Sequence, residues 1–349
     1  MSDYAPLDEA LLRLAPFGIE TRSGLTNHGP MVAEALCAVD RADAVLPWVD
    51  RYRSGLVPPG PVRSAIDSAT DRAAALGRPE RYLDWLAYFR NAIAVSSWQA
   101  VVQDVLPAFL PGFLSDAVHG AIRTGHALRA LAAGQSAGRE DELARALAHW
   151  SSTYFALSSG SNREATGGLS PGAAIKRVPL LPEHKSKNLV EACRLLKTHE
   201  PFAPVIDWIE VPEPPEQFVS ELTHVFADVL TKHARDPLST IALVHGVTGA
   251  AAVRSFLPFL SPNDQSRALR FAWQSGAALL CCFGSRPALR PGKSAGSANR
   301  AELLDQAIAG ADEHAIKLTA VCVLEYELRP ERLYLDCAAR AISILAPPA

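Results

Sequence analysis

Residues 236–254, with the sequence DPLSTIALVHGVTGAAAVR, carry the clearest structural signal in the chain. Between Asp236 and Arg254 the only ionisable side chain is that of His245. A helix that is apolar on every side is buried in a protein core, or spans a membrane if it reaches about 20 residues. Because this stretch is shorter and is bounded by charges, we predict a core helix that buries His245.

The rest of the chain has the same helical character. Residues 271–285 form a second uncharged stretch, and no run of alternating β-branched residues is long enough for a sheet. We therefore predict an all-α protein, with one large multi-helical domain over residues 1–349. Two segments rich in Gly, Pro and Ser, residues 158–187 and 284–299, are predicted to be flexible loops.

Composition excludes several classes of partner. With 34 Lys+Arg against 37 Asp+Glu among 349 residues, the net charge of −3 gives no field that would attract nucleic acid or an anionic membrane. A hydrophobic content of 48% excludes a disordered chain. The N-terminus has no secretory signal, and the 6 cysteines show no CxxC spacing, so we expect free thiols and a cytoplasmic location.

Three histidines that precede a glycine are the first candidates for function: His28, His119 and His245. Glycine inside a helix costs about 1 kcal/mol relative to alanine, which is tolerable where a neighbouring backbone or a ligand approaches closely. Burial disfavours the charged imidazolium and leaves a neutral ring that can bind a metal. A buried histidine is also a common hydrogen-bonded core residue, so both interpretations stay open.

The segment DEHAIKLTAVCVL, residues 312–324, places a lysine in an apolar helix. His314 and Lys317 lie three residues apart and therefore share a face. A buried ammonium must be neutralised, paired or modified. Lys317 could pair with Glu313 or Glu325, or it could add carbon dioxide beside a metal ion and become an anionic carbamate ligand.

Four imidazoles and one anionic oxygen suit a divalent first-row metal. Zinc hydrolases usually have three protein ligands, so the richer set favours iron and oxygen chemistry. The common alternatives lack support, because the chain has no GxGxxG, GxxxxGK[ST] or GxSxG motif. We therefore predict a buried metal site between helices.

Four segments, taken in order, resemble the questin oxidase-like family. The first reads Asn27-His28-Gly29-Pro30-Met31 with Glu34-Ala35-Leu36, and the other three read His119-Gly120-Ala121-Ile122-Arg123-Thr124-Gly125-His126-Ala127, His245-Gly246-Val247-Thr248-Gly249 and His314-Ala315-Ile316-Lys317. The resemblance covers about residues 24–328. The fungal members of this family oxidatively open an anthraquinone ring in aromatic polyketide pathways.

The resemblance implies a non-haem iron oxygenase of secondary metabolism, acting as a dioxygenase or a Baeyer–Villiger-type monooxygenase on a polyketide or quinone-like substrate. It implies Fe(II) held by His28, His119, His245, His314 and carboxylated Lys317, with dioxygen as co-substrate. NADPH is a further possible cofactor, although no nicotinamide-binding motif is visible.

Two residues within the second motif are predicted to contribute to catalysis. Arg123 would orient a phenolate or carboxylate, and His126 would lie next to the metal ligands or in the substrate pocket without binding the metal. The predicted partner is a small aromatic molecule, with no nucleic acid or membrane. Two alternatives remain: a zinc-dependent hydrolase on the same ligands, and a non-catalytic helical binding protein whose histidines are core residues.

Overall fold

The computed structural model describes residues 2–157, 168–182, 184–186, 188–285, 296 and 298–346. Over these residues the regular structure is helical, and the only extended pairings are isolated bridges such as Glu20 with Thr26. The all-α prediction is confirmed. Of the two predicted loops, residues 158–167, 183 and 187 of the first and residues 286–295 and 297 of the second lie outside the described residues.

The chain divides into two compact units. The first contains Met1–Phe155 and Pro258–Leu260, and the second contains Ala156–Leu257 and Ser261–Ala349. Each unit is helical and is described separately below. The single domain over residues 1–349 stays a prediction.

Eight α-helices form the first unit. They are α1 (Ala5–Leu14), α2 (Gly29–Ala38), α3 (Val45–Tyr52), α4 (Ala69–Ala75), α5 (Tyr82–Val95), α6 (Trp98–Phe109), α7 (His119–Ala133) and α8 (Ala137–Ser152). Helix α8 packs against both α5 and α7, while α2 packs against α1 and α7. Ser136 accepts a hydrogen bond from the Arg139 N–H and so caps the start of α8.

Within its described residues, the second unit also has eight α-helices. They are α9 (Pro171–Ala174), α10 (Leu189–Leu195), α11 (Pro215–His233), α12 (Pro237–Phe256), α13 (Pro262–Phe283), α14 (Arg300–Gly310), α15 (Glu313–Leu328) and α16 (Arg332–Leu345). Helix α12 packs between α11 and α13, and α15 packs against α16. The described part of residues 158–187 therefore includes the short helix α9.

The apolar stretch that favoured a helical core is α12. Asp236 and Ser239 form a reciprocal cap at its start, because each side chain accepts a hydrogen bond from the other residue's backbone. Residues Pro237–Phe259 are long and apolar enough to cross a membrane, yet 72% of the most apolar window is buried inside the protein, as in a core helix. The predicted burial of His245 is confirmed.

All 6 cysteines are free thiols and all are buried. This agrees with the thiols predicted from their spacing. Burial raises the pKa of the Cys37 thiol to about 12 and that of Cys281 to about 12, so both remain protonated and unreactive at neutral pH.

The glycines that follow the histidines have different surroundings. A Cβ atom on Gly120 would lie 2.7 Å from Cγ and 2.9 Å from Cβ of Trp150, which belong to the rigid part of that side chain. On Gly246 the nearest atoms would be 3.7 Å away, an ordinary contact. Close packing thus explains the glycine after His119, but it does not explain the glycine after His245.

We expect Gly120→Ala to lower the free energy of unfolding by about 1–3 kcal/mol, because the methyl group would overlap Trp150. Gly246→Ala is the matched control, since it adds the same methyl group to a buried helix with room for it. That variant should be neutral or stabilised by up to about 1 kcal/mol through helix propensity. Guanidinium unfolding measures both, and a Gly120→Ala protein as stable as the wild type would contradict this interpretation.

Candidate metal centre

The first unit brings together His28 and His119. His28 immediately precedes α2 and His119 is the first residue of α7, and both side chains are buried. Their Nε2 atoms are 2.9 Å apart, with ring centroids separated by 4.8 Å. Two nitrogen ligands at right angles, each about 2.1 Å from a metal ion, lie about 3 Å apart. The separation of the two Nε2 atoms therefore matches two adjacent ligands of one ion.

The protonation of His119 follows from its other nitrogen. Nδ1 lies 2.5 Å from the backbone carbonyl oxygen of Asp116, which can only accept, so Nδ1 carries the proton. The lone pair is then on Nε2, the atom that faces His28. Histidine ligands in metalloproteins are commonly oriented by such a bond from the nitrogen that does not bind the metal.

Backbone hydrogen bonds on both sides hold His28 in place. Its N–H donates to the Tyr52 hydroxyl at 2.8 Å. The neighbouring Asn27 donates from Nδ2 to the Gly18 carbonyl at 2.9 Å, and its Oδ1 accepts from the Gly29 N–H at 2.9 Å. The asparagine thus bridges the loop before His28 to the first turn of α2.

The second unit brings together His245 and His314. Their ring centroids are 5.3 Å apart, with the ring planes at 70°, and both side chains are buried. His245 lies in the middle of α12, whereas His314 is the second residue of α15. The Asp312 carboxylate accepts hydrogen bonds from the N–H groups of His314 at 3.0 Å and Ala315 at 2.9 Å, so it fixes the start of α15.

Lys317 is the least ordinary residue of this unit. Its side chain is 0% exposed, and its Nζ has no hydrogen-bond partner within the described part of the chain. Burial lowers the pKa of Lys317 to about 8, although the Glu313 and Asp312 carboxylates oppose that shift. A substantial fraction of this amine is therefore neutral near physiological pH.

The structure distinguishes between the two ion pairs considered for Lys317. Glu325 is bonded elsewhere, because its Oε1 is 2.9 Å from Arg254 Nη2 and its Oε2 is 2.9 Å from the Ser220 hydroxyl. Glu313 attracts Lys317 electrostatically without a hydrogen bond to Nζ. Burial also raises the pKa of Asp312 and of Glu313 above the ordinary values for carboxyl groups.

His28 and His119 in the first unit, and His245 and His314 in the second, are two pairs of buried imidazoles that could each bind a metal ion. Asp312 and Glu313 add carboxylate oxygens close to His314. The donor set is dominated by neutral nitrogen, which suits iron, zinc, copper or nickel more than magnesium or calcium.

Arg123, predicted to orient a substrate, is bonded to Glu142 in the first unit. Its Nε and Nη2 donate to the two carboxylate oxygens at 2.6 and 3.0 Å, and both side chains are buried. Cavities of about 60 Å³ and about 10 Å³ adjoin this pair. Both are much smaller than the cavity of about 150 Å³ that holds benzene in another protein. Substrate orientation by Arg123 stays a prediction.

His126, predicted to lie in the substrate pocket, contacts Glu34. Its Nδ1 is 2.6 Å from Glu34 Oε2, and Arg129 and the Tyr4 hydroxyl bond to the same carboxylate at 2.7 and 2.9 Å. Burial alone would raise the pKa of Glu34, but the charges of Arg129 and His126 lower it to about 2. This network ties α7 to α2, and a substrate contact by His126 stays a prediction.

The sequence suggested no role for three acidic residues that support this region: Asp116, Glu34 and Glu142. Asp116 lies three residues before His119, and Glu34 lies on the apolar helix that follows His28. Either could have been noticed as an acid next to a candidate ligand. Glu142 lies in the charged sequence of α8 and offered no such signal.

A comparison with protein families identifies the family of this chain. The model of the questin oxidase-like family matches residues 50–322, and the chain belongs to this family. The matched region includes His119, His245, His314 and Lys317, while His28 precedes it. A comparison with curated proteins finds no match. The family suggests an oxidative enzyme that acts on an aromatic substrate.

We expect Lys317→Met to abolish the part of the pH dependence of the free energy of unfolding that Lys317 causes in the metal-free protein. Burial lowers the folded-state pKa to about 8, against 10.5 for an ordinary lysine. Between these values the unfolded chain binds more protons, so the wild-type free energy of unfolding rises with pH by about 3 kcal/mol. Urea unfolding at a series of pH values in buffer free of carbon dioxide measures this rise.

Lys232→Met is the control for that experiment, because Lys232 is exposed and paired with Asp228. It should keep the wild-type rise between pH 8 and pH 10.5. An equal rise in Lys317→Met and the wild type would show that Lys317 titrates normally.

Proposed function

We propose that this member of the questin oxidase-like family is a non-haem iron oxygenase that oxidises a small aromatic, polyketide or quinone-like substrate. In this proposal one Fe(II) is bound by His28, His119, His245 and His314, and by a carbamate on Lys317. The observation that carries the proposal is a fully buried lysine, three residues after one of these histidines, whose Nζ has no hydrogen-bond partner among the described residues.

The residues of each unit suit such an ion. The tautomer of His119 directs its lone pair towards His28, and the 2.9 Å between the two Nε2 atoms equals the spacing of adjacent ligands. In the second unit, His245 and His314 supply the same kind of donor from apolar helices. A single ion with ligands from both pairs has more protein donors than a typical zinc hydrolase site, which favours iron.

The carbamate follows from the state of the lysine amine. A neutral amine forms a bond from nitrogen to the carbon of carbon dioxide and releases one proton, giving an anionic carboxylate on nitrogen. Burial of Lys317 supplies the neutral amine, and a nearby cation would stabilise the product. The carbamate would contribute the single negative charge of the set and favour the higher oxidation state of the metal.

Bound Fe(II) would supply the redox chemistry that activates dioxygen. The protein's own contribution is orientation and exclusion of water. Asp116 holds the tautomer of His119, and apolar helices surround His245 and Lys317. Arg123 and His126, one and two turns after His119, hold α7 through Glu142 and Glu34, and in this proposal they lie on the substrate side.

Metal content of the anaerobically purified protein tests the proposal. We expect one iron per chain in the wild type, and loss of nearly all of it both in His28→Ala, in the first unit, and in His314→Ala, in the second. His224→Ala is the matched control, because that histidine is paired with Glu331 and is not in the set. It should retain full iron.

Several results would contradict the proposal. Two ions per chain, or a half loss in each variant, would mean that the histidine pairs bind separately. Stoichiometric zinc without oxygen consumption would favour the hydrolase instead. Full iron in His28→Ala or His314→Ala would exclude that histidine from the ligand set.

A further inference from the structure

The turn immediately before His119 has an unusual backbone. Asp116, Ala117 and Val118 have φ angles of 46°, 52° and 79°, so three successive residues other than glycine are left-handed. A side chain with a branched Cβ, such as that of Val118, rarely adopts this conformation. Such backbone persists only where its surroundings hold it, and it is concentrated at functional sites.

Asp116 makes the bonds that hold this turn. Its carboxylate Oδ2 accepts from the Thr26 hydroxyl at 2.7 Å and from His149 Nε2 at 3.0 Å. Its backbone carbonyl accepts from His119 Nδ1 at 2.5 Å, and the carboxylate lies 3.6 Å from the same nitrogen. One residue thus bonds to three separate parts of the first unit.

These contacts link the surroundings of His28 to those of His119. Thr26 lies two residues before His28, on the segment that leads into α2. His149 lies on α8, which packs against the helix that starts with His119. The carboxylate therefore joins the approach to His28 to the turn before His119, with α8 as a fixed support.

We propose that Asp116 is a positioning residue that sets both the separation of His28 from His119 and the tautomer of His119. The role in metal binding rests on the proposed function, since that function makes this pair metal ligands. The tautomer and the separation are properties of the metal-free protein. Asp116 itself does not touch the metal or the substrate in this inference.

An ionised carboxylate is suited to this role because it only accepts hydrogen bonds. Thr26 and His149 both donate to the same oxygen. Asp116→Asn keeps the size of the side chain and tolerates the left-handed backbone, but its amide can turn a donor towards one of these partners. Asp116→Ala removes both bonds. Asp116→Asn therefore tests the negative charge of the carboxylate, and Asp116→Ala tests all of its side-chain hydrogen bonds.

The first test uses metal-free protein labelled with ¹⁵N-histidine. In the wild type we expect the ring nitrogens of His119, assigned with His119→Gln, to show the tautomer protonated on Nδ1. Asp116→Ala should shift them towards a mixture of tautomers. Asp84→Asn is the control, because Asp84 is a buried carboxylate of the same unit and accepts from the Arg63 N–H at 2.8 Å. It should leave the His119 signals unchanged even if it lowers stability.

The second test measures Co²⁺ affinity and the visible Co²⁺ spectrum of protein shown to be folded. Loss of residues that orient metal ligands typically weakens metal binding by about 10–100-fold, and we expect this for Asp116→Ala and a smaller loss for Asp116→Asn. Thr26→Val should weaken binding, whereas Thr26→Ser, which keeps the hydroxyl, should restore it. Asp84→Asn should bind Co²⁺ like the wild type.

The outcomes separate this inference from the proposed function. Wild-type affinity and unchanged His119 signals in Asp116→Ala would overturn the inference and leave the iron site intact. Wild-type protein that binds no metal, but whose His119 tautomer depends on Asp116, would overturn the iron site and support the positioning role. If Asp84→Asn weakens Co²⁺ binding as much as Asp116→Ala, the effect is general destabilisation and the inference is wrong.

Discussion

The amine of Lys317 is fully buried and has no hydrogen-bond partner among the residues that the structure describes. An isolated ammonium in a dry interior is very unfavourable, so Lys317 gives up its proton more readily than an exposed lysine. Of its neighbouring carboxylates, Glu325 is bonded to Arg254, and Asp312 caps α15. A neutral amine without a hydrogen bond adds little to the stability of an apolar helix. It is well suited to add carbon dioxide and form an anionic carbamate ligand.

The positions of the histidines help to keep their rings neutral. His28 caps α2, His119 begins α7, and His314 is the second residue of α15. The positive end of a helix disfavours a protonated imidazole, and so does burial. His245 lies in the middle of α12, where burial acts in the same direction.

The sequence revealed whatever depended on local pattern. The apolar run of α12, with its single histidine, predicted a core helix, and the spacing of the cysteines predicted free buried thiols. It could not reveal the left-handed turn at Asp116, because no glycine marks it and tertiary bonds to Thr26 and His149 hold it. The sequence also could not predict that Arg123 pairs with Glu142. The two residues lie on different helices, and arginine and glutamate are also common on exposed helix faces.

Iron K-edge X-ray absorption on the anaerobically purified wild type and on Lys317→Ala tests whether four imidazoles and the Lys317 carbamate bind the iron. We expect an iron coordination shell of four imidazoles and at least one oxygen in the wild type. The Lys317→Ala variant should lose one oxygen and keep the imidazole scattering. A wild-type shell with only one or two imidazoles would contradict the proposed ligand set. Identical spectra from the two proteins would show that Lys317 does not bind the metal.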